Sequence, residues 1–366
     1  MLGGIYSINP AVYMDLIHFN VQTGRNLLVF GAAGIGKTEI PIAYANKHKI
    51  PFVYWNLSTQ EAPDLVGLPM IDPETKGVVY APPSYMPVTD RTKEPVIVII
   101  DELDKAKPEL QNPLLEVLQF KSINGRPLNI KAVFATGNLP EEHAFSRPVS
   151  HALTNRCRVF KLEAELGPWA NWAVENRLNS LILGFISKNP EYLSGAPSTD
   201  PTEYCRKSPR SWSNAAKDLD FMMEDKTVTV DQQALCVAGW VGMEPATKFK
   251  VWLEHYREIE PLISRVLDGD RVNPADLSHD KMFILAISSC SRIITETEKI
   301  KEEKTRIDRA KKFAGNVAKY LIQLPTEYQY AALKMSLNSD FVIKHKFPEV
   351  PNFMEIYRKI NSTIKS

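Results

Sequence analysis

The chain has 366 residues, 44% of them hydrophobic and 24% charged, which is too apolar for a disordered chain and long enough for two or three packed domains. With 44 Lys and Arg against 43 Asp and Glu, the formal net charge is +1, so no global field marks the chain for nucleic acid or an anionic membrane. Cys157, Cys205, Cys236 and Cys290 are scattered without metal-ligand spacing and read as reduced thiols; the amino-terminal segment lacks a signal pattern, and no apolar run approaches the roughly 20 residues of a membrane span, so a cytoplasmic protein is expected.

Residues 10–19 carry apolar spacing that suits a short helix. LLVF at 27–30 reads as a buried strand running into a glycine-rich loop, and a helix is expected over 39–49 with Pro41 in its first turns. A second strand follows at 51–56. Residues 61–94 are rich in proline and glycine, with a short Val-Val-Tyr run at 78–80 that suggests a hairpin or insertion. VIVII at 96–100 is a five-residue apolar run without alternation, as expected for a strand covered on both faces of a parallel sheet. A helix over 108–120, a turn at Asn124-Gly125, a strand AVFAT at 132–136 and a last strand at 158–162 complete the pattern.

Strands alternating with helices imply an α/β fold, an αβα sandwich with a mainly parallel sheet over residues 1–162. After residue 163 the β signal nearly vanishes, and helices are expected, with loops near 195–209, 224–230 and 269–279. The division expected is an all-α lid over 163–260 and a C-terminal helical domain over 261–366. The charged run 295–312 reads as a solvated helix face.

GAAGIGKT at 31–38 fits G-x-x-x-x-G-K-[ST] and lies between a strand and a helix. Gly31, Gly34 and Gly36 let backbone N–H groups approach phosphate oxygens, and the following helix points its positive end at them. Lys37 would neutralise β- and γ-phosphates, and Thr38 would offer its hydroxyl to Mg²⁺. Ala32, Ala33 and Ile35 fill out the cradle and Glu39 opens the helix, completing the expected nucleotide-binding set. Asp101 and Glu102 emerge at the carboxyl end of a buried strand, where ligands of open α/β sheets collect. Asp101 can hold the hydration shell of Mg²⁺ and Glu102 can polarise a water, although an adjacent carboxylate pair can also simply cap a helix. Asn138 ends a third apolar strand and could orient the attacking water. Arg156, with Arg158 and Arg147 as rivals, could reach the γ-phosphate of a neighbouring subunit. Arg210, in SPRSW, starts a helix that Ser208 can cap, and its charge opposes the helix dipole unless a phosphate compensates.

With these elements in this order, the chain resembles the AAA+ ATPases, and more narrowly the MoxR group related to dynein-type modules. The resemblance extends through DLVG at 64–67, DPETKGVVYAPP at 72–83, IIDELDKA at 99–106, LLEVLQ at 114–119, INGRPLNIKAVFATGN at 123–138, ALTNR at 152–156 and SPRSW at 208–212. It implies that Lys37 and Thr38 are Walker A, Asp101 and Glu102 Walker B, Asn138 sensor 1, Arg156 the arginine finger and Arg210 sensor 2. Val149, Ser150, His151 and Ala152 stand where the group usually has Leu-Pro-Glu-Ala, and Cys157 where an aromatic is common. Residues after 260 match nothing recognised.

The resemblance further implies ATP and Mg²⁺ as ligands, a homo-oligomeric ring, commonly a hexamer, that remodels or loads a protein client, and a von Willebrand A-domain protein as partner. A nucleic-acid motor or loader is the alternative, with Lys121, Arg126 and Lys131 lining a pore, although the neutral net charge disfavours it. A nucleotide-dependent assembly module without turnover is a third reading, which the intact Glu102 disfavours.

Overall fold

Apolar strands with no polar alternation need cover on both faces, and the sheet that results is parallel throughout. The computed structural model describes residues 5–139, 147–195, 205–336 and 339–356. They fall into two units, one formed by the described residues up to Glu165 and the other by those from Leu166 onward.

The first unit runs β1 Tyr6–Ile8, α1 Pro10–Thr23, β2 Leu27–Phe30, α2 Glu39–Lys47, β3 Phe52–Asn56, α3 Ala62–Val66, β4 Leu68–Ile71, β5 Val78–Ala81, β6 Val96–Asp101, α4 Pro108–Phe120, β7 Ser122–Ile123, β8 Arg126–Pro127, β9 Ile130–Gly137, α5 His151–Thr154 and β10 Arg158–Leu162. Six strands make one sheet in the order β1-β10-β2-β9-β6-β3, with every neighbouring pair parallel. Strand β9 therefore separates β2 from β6. The segments β4–β5 and β7–β8 are antiparallel hairpins outside that sheet, in the places where a Pro- and Gly-rich insertion and an Asn-Gly turn were expected.

Successive residues of the central strands feed opposite cores. Leu28, Phe30, Val98, Ile100, Val133 and Ala135 join Leu110, Leu114 and Val117 of α4; Leu27, Val29, Ile97, Ile99 and Phe134 join Tyr13, Ile17 and Val21 of α1 and Tyr44 of α2. Full burial of each Val, Leu, Ile or Phe among them contributes about 1.5–3 kcal/mol relative to exposure. Edge strand β1 had no sequence signal: three residues, YSI, are too few for a periodic pattern, and its existence depends on pairing with β10.

The second unit is helical: α6 Leu166–Glu175, α7 Ser180–Lys188, α8 Pro209–Glu224, α9 Val230–Val241, α10 Met243–Asp268, α11 His279–Glu298, α12 Glu303–Leu321, α13 Thr326–Ser336 and α14 Ser339–Lys344. Phe185, Trp212, Phe249 and Trp252 pack at its centre, with ring centroids 5.2–6.2 Å apart. The division expected at residue 260 falls inside α10, which continues through Pro261. Tyr256 and Ile259 before the proline, and Ile263, Val266 and Leu267 after it, are buried on the same helix, so packing holds both halves in line. The charged run 295–312 likewise spans two elements, the end of α11 and the start of α12. Of the loop expected at 195–209, residues 196–204 lie outside the described residues. All four cysteines are unbridged. Among the described residues no helix is long and apolar enough to cross a membrane.

Asn26, at the entrance to β2, ties three segments together: its buried Nδ2 donates to Leu118 O (2.7 Å) near the end of α4 and to Arg156 O (3.0 Å) ahead of β10. Asn26→Ala leaves both carbonyls without this donor. Urea denaturation is expected to show a loss of about 1–3 kcal/mol with an unchanged slope; an unchanged midpoint would mean that these bonds add nothing net.

Candidate functional site

The loop leaving β2 needs glycine for a steric reason. Gly31, Gly34 and Gly36 have φ of 150°, 77° and 99°, and a Cβ on Gly31 would lie 2.5 Å from Leu162 O and 2.8 Å from Ile35 Cδ1. Ile35 is buried in the core beneath the loop, while Ala32 is half-buried and Ala33 exposed. Tyr13, wholly buried on α1, donates its hydroxyl to Lys37 O at 3.0 Å and braces the loop from below. Burial, and then the negative charge of Asp101, push that phenol's pKa well above its ordinary value. The loop ends at the N-terminus of α2, where Glu39 is the exposed first residue and backbone N–H groups point outward.

Thr38 occupies the N-cap position of α2, yet its hydroxyl makes no cap bond. It donates instead to Asp101 Oδ1 at 2.9 Å. Three further donors reach the same carboxylate: Thr136 Oγ1 to Oδ1, Tyr54 OH to Oδ2 at 2.8 Å and the Glu102 N–H to Oδ1 at 3.0 Å. Burial raises the Asp101 pKa, but the Thr136, Tyr54 and Thr38 hydroxyls and the Glu102 N–H outweigh it and hold the group below the usual carboxylate range.

Glu102 has φ 56° and ψ 42°, a left-handed conformation that costs a residue with a Cβ roughly 1–2 kcal/mol. The turn separates the two adjacent carboxylates. Asp101 stays with the Thr38 hydroxyl, whereas Glu102 Oε1 meets Lys105 Nζ at 2.8 Å. Burial raises the Glu102 pKa, but hydrogen bonds from Lys105 and Ser58 and the Lys105 charge prevail, so the net shift is downward despite repulsion from Asp101.

Because β9 lies between β2 and β6, its carboxyl end delivers Asn138 between the loop and the Asp-Glu pair. Asn138 Oδ1 accepts from Lys37 Nζ at 3.1 Å, and Lys37 Nζ also donates to Gly31 O and to Ala32 O at 2.8 Å. The Asn138 N–H and Nδ2 face Asp104, a buried residue three positions beyond Asp101.

Lys37, Thr38, Asp101, Glu102 and Asn138 are thus gathered at three adjacent strand ends. The arginines make other contacts. Arg156 sits beyond α5, with Nε (2.9 Å) and Nη2 (2.6 Å) on Gln119 Oε1 and Nη1 on Ala152 O (2.6 Å). Arg158 stacks on Phe19, 4.7 Å from the ring centroid, and reaches Asn20 Oδ1 at 3.3 Å. Arg147 is exposed, and its N–H donates to Asp104 O at 2.9 Å. Arg210 belongs to the helical unit: Ser208 caps α8 by accepting from Ser211 N at 3.1 Å, Trp212 is wholly buried, and Arg210 between them is exposed.

Tyr13, Tyr54, Thr136, Asp104 and Lys105 were not singled out by sequence. Thr136 is two residues before Asn138 on a strand, hence on the same face. Asp104 and Lys105 stand in the run DELDKA. Tyr13 and Tyr54 carried no sequence signal, since aromatic residues in a helix or strand read as packing.

The donor set suits a phosphate chain with a hard cation: glycine-shaped backbone, a lysine ammonium, and a hydroxyl and a carboxylate within 2.9 Å of each other. No protein-family model matches the sequence. Over 149 residues the chain is 28% identical to an uncharacterised protein of Staphylococcus epidermidis, spanning 39% of this chain and 57% of that one. Over 160 residues it is 28% identical to the uncharacterised protein YojN of Bacillus subtilis, spanning 42% and 52%. The chain thus spans about half the length of the curated relatives it matches. Two point mutants of RuvB from Thermotoga maritima superpose with TM-scores of 0.37 and 0.38 at 14% and 13% identity, over 75% and 76% of this chain and 79% and 80% of theirs. NtrX from Brucella abortus in complex with ADP superposes at 0.33 and 13% identity, over 69% of this chain and 65% of that one. Superpositions this loose carry nothing about chemistry.

Lys105→Ala removes one hydrogen bond and the positive charge that lower the Glu102 pKa, leaving only the Ser58 hydrogen bond to oppose burial and Asp101. The Glu102 carboxyl is expected to titrate at higher pH in the variant, followed by carboxyl-carbon NMR with Glu102→Gln assigning the signal. An unmoved titration would rule out Lys105 as the controlling partner.

Proposed function

We propose that the chain binds ATP at residues 31–38 and hydrolyses it, as an AAA+ ATPase of the MoxR type that forms a ring and remodels a protein client. The observation that carries this reading is the meeting of Lys37 and Thr38, Asp101 and Glu102, and Asn138 at three adjacent strand ends, with Lys37 hydrogen-bonded to Asn138 and Thr38 and the Glu102 N–H to Asp101. The loop N–H groups and Lys37 hold the phosphates. Thr38 and Asp101 would hold Mg²⁺, which would supply positive charge to the phosphate chain. Glu102 takes a proton from the attacking water, and Asn138 orients that water.

A ring with six subunits and a von Willebrand A-domain partner belong to the same proposal, through the motif resemblance. Arg156, held at the surface by Gln119, is the leading residue for action on a neighbour's nucleotide. Of the lysines named for the rival pore reading, Lys121 is half-buried and its Nζ donates to Lys131 O at 3.1 Å, which disfavours it as a pore-lining cation.

Glu102→Gln is expected to bind ATP with near-parental affinity while turnover falls about 10²-fold or more; Lys37→Ala is expected to weaken binding itself, as measured by calorimetry. Near-normal turnover in Glu102→Gln would refute its role as base. Turnover per subunit should rise with protein concentration, and Arg156→Ala should lower it by about 10³-fold at saturating concentration. A concentration-independent rate that survives Arg156→Ala would exclude action between subunits.

A further inference from the structure

Asp104 lies on the 3₁₀ turn Leu103–Lys105 with 1% of its surface exposed. Burial of a carboxyl group is costly unless its oxygens are hydrogen-bonded, and both face the same residue: Oδ1 accepts from the Asn138 N–H at 3.0 Å and Oδ2 faces Asn138 Nδ2 at 3.4 Å. On the far side of that amide, Oδ1 accepts from Lys37 Nζ at 3.1 Å. Gly137 closes the arrangement, since a Cβ there would come within 3.1 Å of Asp104 Oδ1.

An amide side chain has one accepting and one donating end of nearly identical shape, so packing alone does not choose between its two orientations. A carboxylate offers only acceptors. We propose that Asp104 is a positioning residue that sets the orientation of the Asn138 amide, binding its NH₂ end and thereby presenting its oxygen to Lys37 and the phosphate site. The proposal rests on the hydrolytic reading above. Asn at position 104 would keep an acceptor for the Asn138 N–H but could also face Nδ2 with a donor, so only the Lys37 ammonium would then select the orientation of the amide.

The test is a double-mutant cycle on Asp104→Asn and Asn138→Ala in the full chain, reading kcat and, by calorimetry, ATP affinity. Asp104→Asn is expected to lower kcat about 10-fold or more while affinity stays within about 3-fold, and to cause no further loss in the Asn138→Ala background. An equal loss in both backgrounds, or a parental kcat in Asp104→Asn, would overturn the proposal. If Asp104→Asn lowers the melting temperature, Gly137→Ala replaces it, because the added Cβ crowds the carboxylate at 3.1 Å, and the Phe30 ring at 3.2 Å, without removing either; kcat should again fall only where Asn138 is present, and a fall of the same size without Asn138 overturns the proposal. A parent chain that turns over no ATP overturns the hydrolytic reading and this proposal with it. An active parent whose variants are additive overturns only the role of Asp104.

Discussion

Four hydrogen bonds converge on the Asp101 carboxylate, from the Thr38, Tyr54 and Thr136 hydroxyls and the Glu102 N–H. Their donors come from the end of the glycine-rich loop, from edge strand β3, from β9 and from the residue beyond Asp101 itself. A half-buried carboxylate left without them would be driven toward its neutral form. Held this way it stays an anion beside the hydroxyl that opens α2, and the loop, the two central strands and the sheet edge are registered against one point. The sheet order makes this possible: with β9 between β2 and β6, all three carboxyl ends open on the same side.

The local strain of the site follows from the same geometry. Two carboxylates adjacent in sequence repel and would crowd one ligand, and the left-handed backbone at Glu102 turns the second away. There it meets Lys105 and Ser58, which keep it ionised. Tyr13 acts from the opposite face, its hydroxyl on Lys37 O tying helix α1 to the loop. Residues outside the glycine-rich loop and the acidic pair thus set the positions of those within them.

Much of this was legible in the sequence. The unalternating VIVII run could be satisfied only by cover on both faces, and β6 is buried along its length up to Asp101. GAAGIGKT between an apolar run and a helix has few physical uses, and the three expected strand ends do meet. The β1 strand was illegible because three residues carry no period. The division expected near residue 260 falls inside α10, which burial on both sides of Pro261 keeps whole. Lys121 was named as a pore-lining residue in the nucleic-acid alternative, and only the fold supplies the carbonyl of Lys131 to which its ammonium donates.

The sequence by itself determined the alternation of strands and helices, the glycine loop with its lysine and threonine, and the acidic pair at a strand end, because these depend on local periodicity and on backbone conformations open to few residue types. The tertiary structure decided the rest. It alone chose the strand order that sets Asn138 between loop and carboxylates, and it chose Tyr13, Tyr54, Thr136 and Asp104 as their supports. Those choices depend on which distant segments pack together, and a hydroxyl or carboxylate acquires its role only from the partner that the fold brings within 3 Å or so.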